Sequence, residues 1–417
     1  MLYFIESFNF EHVSGIGKKH LMKSSAHMKF FDLCKKNNLP VKRLKLLEVE
    51  DNTAFICELF VRTSIYELIE EISTLSEILP EFIFKKLQEN KCLLLLSDCH
   101  ESYDVEEKTY KKINVLLQNA NIKNKCIIIF NNSWTRLPIF DTGNNITTCR
   151  FNYFESVARN QFNINNINKI KTTRFNNIFL QNIKHKFICL NRMPRGHRVL
   201  FLLLLQRENL LNDFLWSLPD INVDDIFDKK TFTLNEVWSD QERNFVHNGT
   251  TSIERKQFNT LLPSVVDVSK FTNNHWNTLN DQFITSTGIY VVTETLFSGD
   301  NTNCFFTEKI FKPIFYKMPF IVVGTSHFLQ YLHQSGYKTY NSIWCEDYDL
   351  CQNDIDRLLL IVKLIKSINK LTQTEFSKLL LETAYINAYN YTRLMCSDSD
   401  NIIIQFLKDR FNTFTIP

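Results

Sequence analysis

Glycine and proline are scarce in this chain, nine of each among 417 residues, where soluble proteins carry about 7% and 5%. The shortage goes with 36 phenylalanines and 43 asparagines, so residues with A/T-rich codons displace those with G/C-rich ones. That is the signature of a genome, microbial or viral, and says little about function. The glycines that remain are worth following because each was kept against the drift: Gly15, Gly17, Gly196, Gly299, Gly324 and Gly336. An excess of one charge is also missing. Forty-eight Lys+Arg against 45 Asp+Glu leave a net charge of +3, which excludes a protein whose main work is coating nucleic acid. The eleven cysteines are odd in number and contain no C-x-x-C pair, so neither a disulfide framework nor a zinc ribbon is expected. No apolar run approaches the roughly 20 residues of a membrane-spanning helix. The opening residues lack the basic-then-apolar pattern of a secretory leader, and the expected location is the cytosol, that of a host if the chain is viral.

What is present is enough to fold. Hydrophobic residues make up 44% and charged residues 22%, and the length suits two domains, since single cores tend to stop growing at about 250–300 residues. Short apolar runs at Leu2–Ile5, Ala54–Val61, Cys92–Leu96 and Cys126–Phe130 predict strands, and the spacing over Ser64–Glu89 and Glu106–Asn119 predicts helices. Strands alternating with helices imply a parallel sheet. An Asn-rich polar stretch, Asn160–Asn177, then reads as a linker. A second alternation follows: strands at Phe187–Leu190, Ile289–Val292 and Phe320–Val323, helices at Arg198–Glu208, Glu308–Tyr316 and Ser326–Gln334. The section Leu218–Asn280 yields no assignment, and from Asp354 onward helical patterns dominate. The expected architecture is α/β, with an N-terminal domain over 1–175, a second α/β domain over 176–390 and a helical tail over 391–417. A ligand belongs in the cleft expected between two such domains.

Three segments can carry chemistry. In the first, a strand ends at Glu294 and, after a polar loop, Thr307-Glu308-Lys309 opens a helix. Thr307 is a natural N-cap. A helix N-terminus favours anions; Lys309 adds a cation suited to a diphosphate, and Glu308 can accept hydrogen bonds from a ribose. The same residues also read as an ordinary capped helix with a solvated lysine. In the second segment, Asn191-Arg-Met-Pro-Arg-Gly-His-Arg198 follows a strand with three arginines and a histidine in seven residues. Such a turn is a concentrated anion site, with Arg198 the first choice, Arg195 the second and Asn191 a positioning residue. A basic loop paired with acidic neighbours is the alternative. In the third, a leucine run delivers Asp98, His100 and Glu101 from a strand end, an arrangement suited to a general base; a capped strand-to-helix turn fits these residues equally.

The order Glu294, loop, Thr-Glu-Lys, helix, Pro-Phe-Ile-Val-Val-Gly324 resembles the donor-binding half of the α-1,3-fucosyltransferases, glycosyltransferases of the GT-B type. It is also similar to glycosyltransferase-like proteins of viruses and bacteria that carry a Thr-Glu-Lys-x-Phe-Lys-Pro-Ile string and a string like Gly336-Tyr-Lys-Thr-Tyr340. The resemblance implies two Rossmann-like domains facing each other across a cleft. It places the ribose on Glu308 and phosphate on Lys309 and Arg198. The departures are Thr295, where the family has Asn, Phe306 before the Thr-Glu-Lys string, and Ser102 in an Asp-x-x-Glu-Gly-type string.

These readings combine into one expectation. The chain transfers a sugar from a nucleotide-diphosphate sugar to an acceptor hydroxyl on a glycan, a protein or a modified nucleobase, with inversion. Glu101 or Asp98 serves as base. Asn191, Arg195, Arg198, Glu294, Thr307, Glu308 and Lys309 form the donor site. No cofactor is expected beyond the donor substrate, and no metal, because arginine, lysine and a helix terminus can neutralise the leaving diphosphate. The alternative is a catalytically inactive nucleotide-binding protein, or a viral structural or interaction protein, on the same fold. Ser14-Gly-Ile-Gly-Lys-Lys19 lacks the spacing of a P-loop, and Asp347-x-Asp349 follows no nucleotide-binding strand.

Overall fold

The computed structural model describes residues 2–5, 29–36, 38–44, 53–61, 65–97, 107–122, 127–131, 133–135, 146–159, 183–223, 240–264, 279, 281–298 and 303–415. The chain divides into two compact units, Met1–Ser156 with Ser397–Pro417, and Val157–Cys396. The linker expected at Asn160–Asn177, and with it the boundary at 175, lies outside the described residues.

The first unit carries strands β1 (Leu2–Ile5), β2 (Val41–Leu44), β3 (Phe55–Phe60), β4 (Cys92–Ser97), β5 (Ile127–Asn131) and β6 (Ile146–Arg150). They form one sheet in the order β2-β1-β3-β4-β5-β6, and every neighbouring pair is parallel. All six residues of β4 are buried, as expected where helices cover both faces of a parallel sheet. Helices α1 (Lys29–Lys36), α2 (Ile65–Glu71), α3 (Glu81–Gln88) and α4 (Glu107–Asn119) accompany the sheet. Ile65, Leu68, Ile83, Leu87, Ile113 and Leu117 join its apolar core. The single helix expected over Ser64–Glu89 is in fact broken. Glu77 Oε1 accepts from the backbone N–H groups of Ser73 and Thr74, both at 2.8 Å, starting a separate 3₁₀ turn. Pro80 then restarts the chain at α3, because proline disfavours helical geometry in the residue before it.

The second unit contains β7 (His185–Leu190), α5 (Gly196–Arg207), β8 (Phe214–Ser217), α6 (Asp240–Gly249), α7 (Ser252–Asn259), β9 (Thr287–Thr293), α8 (Glu308–Phe315), β10 (Phe320–Val323), α9 (Phe328–Gln334), α10 (Asp354–Asn369), α11 (Gln373–Glu382) and α12 (Ala384–Met395). Its sheet runs β10-β9-β7-β8, again parallel throughout. From β7 the chain first moves outward to β8 and then returns to the other side of β7 with β9. The carboxyl ends of β7 and β9 therefore flank the point where strand order reverses, the usual ligand crevice of an open α/β sheet. Gly288 on β9 serves packing. A Cβ there would stand 2.5 Å from the Phe376 ring and 2.9 Å from the Lys186 carbonyl, so α11 seats its phenylalanine directly on the strand.

Helix α5 is buried on all sides from Gly196 to Leu205, which is why its apolar run shows no 3.6-residue period. It starts two residues before the expected Arg198. Helix α9 starts at Phe328, two residues later than expected, because His327 adopts a left-handed φ of 63°. The section without a sequence assignment supplies an isolated bridge between Leu218, the residue after β8, and Ser264, and helices α6 and α7. The expected tail over 391–417 is divided. Its first residues finish α12, and helix α13 (Ser399–Thr415) belongs to the first unit, burying Ile403, Ile404, Leu407 and Phe411.

Asparagine takes over a task that glycine usually performs. Asn38, Asn90, Asn121 and Asn209 hold φ of 55–59° just past the ends of α1, α3, α4 and α5. In each case the following N–H reaches back five residues, as in Lys91 N to Lys86 O at 2.8 Å and Leu210 N to Leu205 O at 2.9 Å. This is the Schellman closure, which needs a left-handed residue and tolerates Asn next after Gly. Lys317 closes α8 the same way and Gly336 closes α9.

Candidate functional site

The residues expected in the donor site meet at the carboxyl ends of β7 and β9. Asn191, first after β7, is 3% exposed. Its N–H bonds Ser217 O on β8 at 3.1 Å, and its Oδ1 accepts from Thr293 Oγ1 on β9 at 2.6 Å, so it fixes the spacing of the strand ends. Arg195 is the N-cap residue of α5. It is half-buried, and its Nη1 donates to the Thr295 carbonyl at 2.9 Å. Arg198 is only 3% exposed. Its guanidinium donates to the carbonyls of Met193 (3.1 Å), Thr293 (3.2 Å) and Glu294 (3.0 Å), clasping the β7 loop to the end of β9. Burial, with Arg195 nearby, lowers its pKa to about 10, and it remains a cation at neutral pH.

Glu294, first after β9, is 1% exposed. Its Oε2 accepts from Thr307 Oγ1 at 2.6 Å and Thr295 N at 3.2 Å, while Oε1 has no partner among the described residues. Burial raises its pKa, and Lys309 and the Thr307 hydroxyl oppose that without cancelling it. Thr307 caps α8 as expected, accepting from Lys309 N at 3.3 Å. Lys309 Nζ donates to Thr295 Oγ1 (3.1 Å), Thr307 Oγ1 (3.2 Å) and Glu308 Oε1 (3.1 Å). Burial pushes the Glu308 carboxyl up, but Lys309 and Lys312 outweigh it and hold the group below the usual range. Glu308 is thus an anion beside a cation, both partly accessible.

Four further residues join the cluster, and two of them, Phe297 and Arg357, escape a reading of the sequence. His197 lies in the Arg-rich turn, 4% exposed. It stacks on Phe297 with centroids 5.1 Å apart, and its Nε2 donates to the Glu294 carbonyl at 3.0 Å. Burial and the neighbouring Arg198 push its pKa well down, so the ring is neutral. Phe297 in turn is held by Arg357, whose guanidinium lies 4.3 Å from the ring centroid. Arg357 is among the largest fully buried side chains. It donates to Phe297 O (2.6 Å), Gly324 O (3.1 Å), Cys351 O (2.8 Å) and Asp354 Oδ1 (2.6 Å), tying α10 to the loops after β9 and β10. Neither Phe297 nor Arg357 sits in a recognisable motif, because their links run through backbone carbonyls of distant segments. The fourth is Thr295, which touches Arg195, Glu294 and Lys309 alike.

The remaining expected residues do not join this cluster. β4 ends at Ser97, immediately before Asp98; Asp98, His100 and Glu101 lie outside the described residues, as do Gly15, Gly17 and Gly299. A cavity of about 850 Å³ opens elsewhere in the second unit, lined among others by Leu329, Lys338, Glu346, Asp349 and Tyr385. Its buried carboxylates are committed to structure. Asp349 caps α9 through Leu329 N (2.9 Å) and Gln330 N (3.1 Å), and Glu346 accepts from Tyr340 N at 2.9 Å. Among the described residues no three metal-binding side chains gather, and no helix is long and apolar enough to cross a membrane.

No protein-family model matches the sequence, and no curated protein matches it. Among solved structures the chain is similar to an α,α-trehalose-phosphate synthase (UDP-forming) from Burkholderia vietnamiensis. The TM-score is 0.36 and the identity 11%, over 85% of this chain and 77% of that one, a likeness too loose to bear on the site.

Proposed function

We propose that the chain is a glycosyltransferase of GT-B type that moves a sugar from a nucleotide-diphosphate sugar to an acceptor hydroxyl with inversion. The observation that carries this reading is the meeting of Arg195, on the turn after β7, with Thr295, Glu308 and Lys309, on segments after β9, at the strand-order reversal of the second sheet. A cationic crevice with an accessible carboxylate suits a nucleoside diphosphate: phosphate on Arg195 and Lys309, ribose hydroxyls on Glu308. Arg198 and Asn191 set the geometry from below. In the reaction the acceptor oxygen attacks the anomeric carbon, the bond to the diphosphate oxygen breaks on the opposite face, and Glu101 or Asp98 takes the acceptor proton. Arg195, Lys309 and the α8 N-terminus neutralise the departing diphosphate without calling on a metal.

A thermal-shift panel of GDP, UDP and their sugars tests the reading. A ligand at 100 times its dissociation constant stabilises by about 2.7 kcal/mol. At least one panel member is expected to raise the melting temperature of the wild type, and Lys309→Ala is expected to abolish the shift. A Lys309→Ala protein that responds like wild type means that the site has been misplaced.

A further inference from the structure

We infer that the cavity of about 850 Å³ in the second unit is a binding site for a neutral oligosaccharide. It shares no residue with the donor cluster, so the inference stands whether or not the donor reading does. The volume lies in the range of small-ligand pockets, about 300–1,000 Å³, but such pockets are mostly apolar. Here polar side chains outnumber apolar ones along the wall. Gln330, Asn341, Ser342 and Asp347 are exposed on it, and among the described residues their side chains have no hydrogen-bond partner. Amide, hydroxyl and carboxylate groups offer donors and acceptors in pairs, which match the adjacent hydroxyls of a sugar ring.

The apolar part of the site is an aromatic ring held in place. Tyr385 on α12 lines the cavity and is 67% exposed. Lys338 Nζ lies 4.4 Å from its ring centroid and donates to its hydroxyl at 3.1 Å, and the same ammonium lies 4.5 Å from the Tyr389 ring. Lys338 is anchored in turn. Buried Asn390 accepts from its N–H and donates to its carbonyl, both at 2.8 Å, while buried Asn387 accepts from the Tyr340 hydroxyl at 2.6 Å. The wall is therefore built before a ligand arrives, which lowers the ordering cost of binding. A fixed, exposed ring beside hydrogen-bonding side chains suits a pyranose, whose C–H face lies on the aromatic while its hydroxyls reach the polar groups.

Charge selects a neutral glycan. Among the described residues the wall holds no arginine, and its lysine is engaged by the two tyrosines. Asp349 and Glu346 hold backbone N–H groups, which leaves Asp347 as the uncommitted carboxylate. A sulfated glycan or a nucleic-acid strand would meet that carboxylate as a like charge.

The test is calorimetric titration of the full chain with maltotriose, cellotriose and chitotriose, and with a heparin oligosaccharide and polylysine as charged rivals. Wild type, Tyr385→Ala, Asn341→Ala and Lys309→Ala are compared. At least one neutral trisaccharide is expected to bind wild type. Tyr385→Ala is expected to weaken that binding about tenfold through the lost apolar contact, and Asn341→Ala about three- to tenfold through lost hydrogen bonds. Lys309→Ala, in the donor cluster, is expected to bind the sugar as wild type does. The inference is overturned if no neutral trisaccharide binds, if the charged rivals alone bind, or if Tyr385→Ala and Asn341→Ala bind as tightly as wild type. Loss of the sugar in Lys309→Ala overturns it too, because the sugar then sits in the donor crevice. Both substituted positions are exposed, so unchanged melting temperatures are expected; should Tyr385→Ala fold poorly, Asn341→Ala decides under the same outcomes. A chain that binds no nucleotide yet keeps a Tyr385-dependent sugar site loses the donor reading and keeps this one.

Discussion

At the scale of single residues, the chain shows how a fold survives when one amino acid is nearly withheld. Four helix ends that would ordinarily carry glycine carry asparagine at φ of 55–59°. Asn can do this because its short polar side chain lowers the left-handed penalty that other L-residues suffer, about 1–2 kcal/mol. Asn209 isolates the effect, since it is exposed and its work there is the backbone closure of α5. Asn209→Ala is expected to lower stability by about 1 kcal/mol, and Asn209→Gly to leave it unchanged or slightly raised. Urea midpoints of the two variants check this: an Ala variant as stable as the Gly variant would show that the left-handed turn is not what matters. Gly288 and Gly336, by contrast, stay glycine for steric reasons. One sits under Phe376, and the other, at φ 86°, has Arg393 Nε 2.8 Å from where a Cβ would go.

At the scale of elements, α9 and the loop after it depend on two buried carboxyls. Burial raises Glu346 to about 7 and Asp349 to about 6, so the folded state holds these protons more tightly than the unfolded chain does. The stability they contribute is complete below the ordinary carboxyl range and is lost as pH rises through 6 and 7. His197, kept neutral by burial, works in the opposite sense below about pH 6.5, so the contrast with a variant is the clean measurement. Glu346→Gln cannot ionise yet keeps an oxygen for Tyr340 N–H. Between pH 5 and pH 8 the wild type is expected to lose about 1–3 kcal/mol relative to it, and parallel pH profiles would refute the assignment. The elements also divide by what the sequence discloses. Cys92–Leu96, Ile289–Val292 and Phe320–Val323 are legible because buried parallel strands are continuous apolar runs. The strands that escape notice, β2, β6 and β8, lie at sheet edges; β2 reads Val-Lys-Arg-Leu and β6 Ile-Thr-Thr-Cys-Arg, polar sequences that an edge tolerates, whereas the edge strand β10 is legible because all four of its residues are apolar and buried. Within the candidate site the Arg-rich turn and Thr307-Glu308-Lys309 are readable as local strings. Phe297 and Arg357 are not, since their meaning lies in carbonyls and side chains brought together only by folding.

At the scale of the whole molecule, the two units differ in how the chain builds them. The second is continuous from Val157 to Cys396, whereas the first is completed by Ser397–Pro417 after the chain has left and returned. Helix α13 packs against α1 and buries Ile403, Ile404, Leu407 and Phe411, each at 6% exposure or less. At about 1.5–3 kcal/mol for each such side chain, the last helix supplies a large part of what a unit of marginal stability can lose. Truncation after Cys396 therefore acts on one unit selectively. In scanning calorimetry the truncated chain is expected to lose or sharply lower the transition of the first unit, while the second, whose sheet and core contain no residue beyond Cys396, retains its own. If the donor site lies in the second unit, the nucleotide that stabilises the full chain should still shift that surviving transition. A truncated chain that melts as one unchanged transition would mean that α13 contributes little, and one that melts normally but no longer responds to nucleotide would mean that the binding residues have been assigned to the wrong unit.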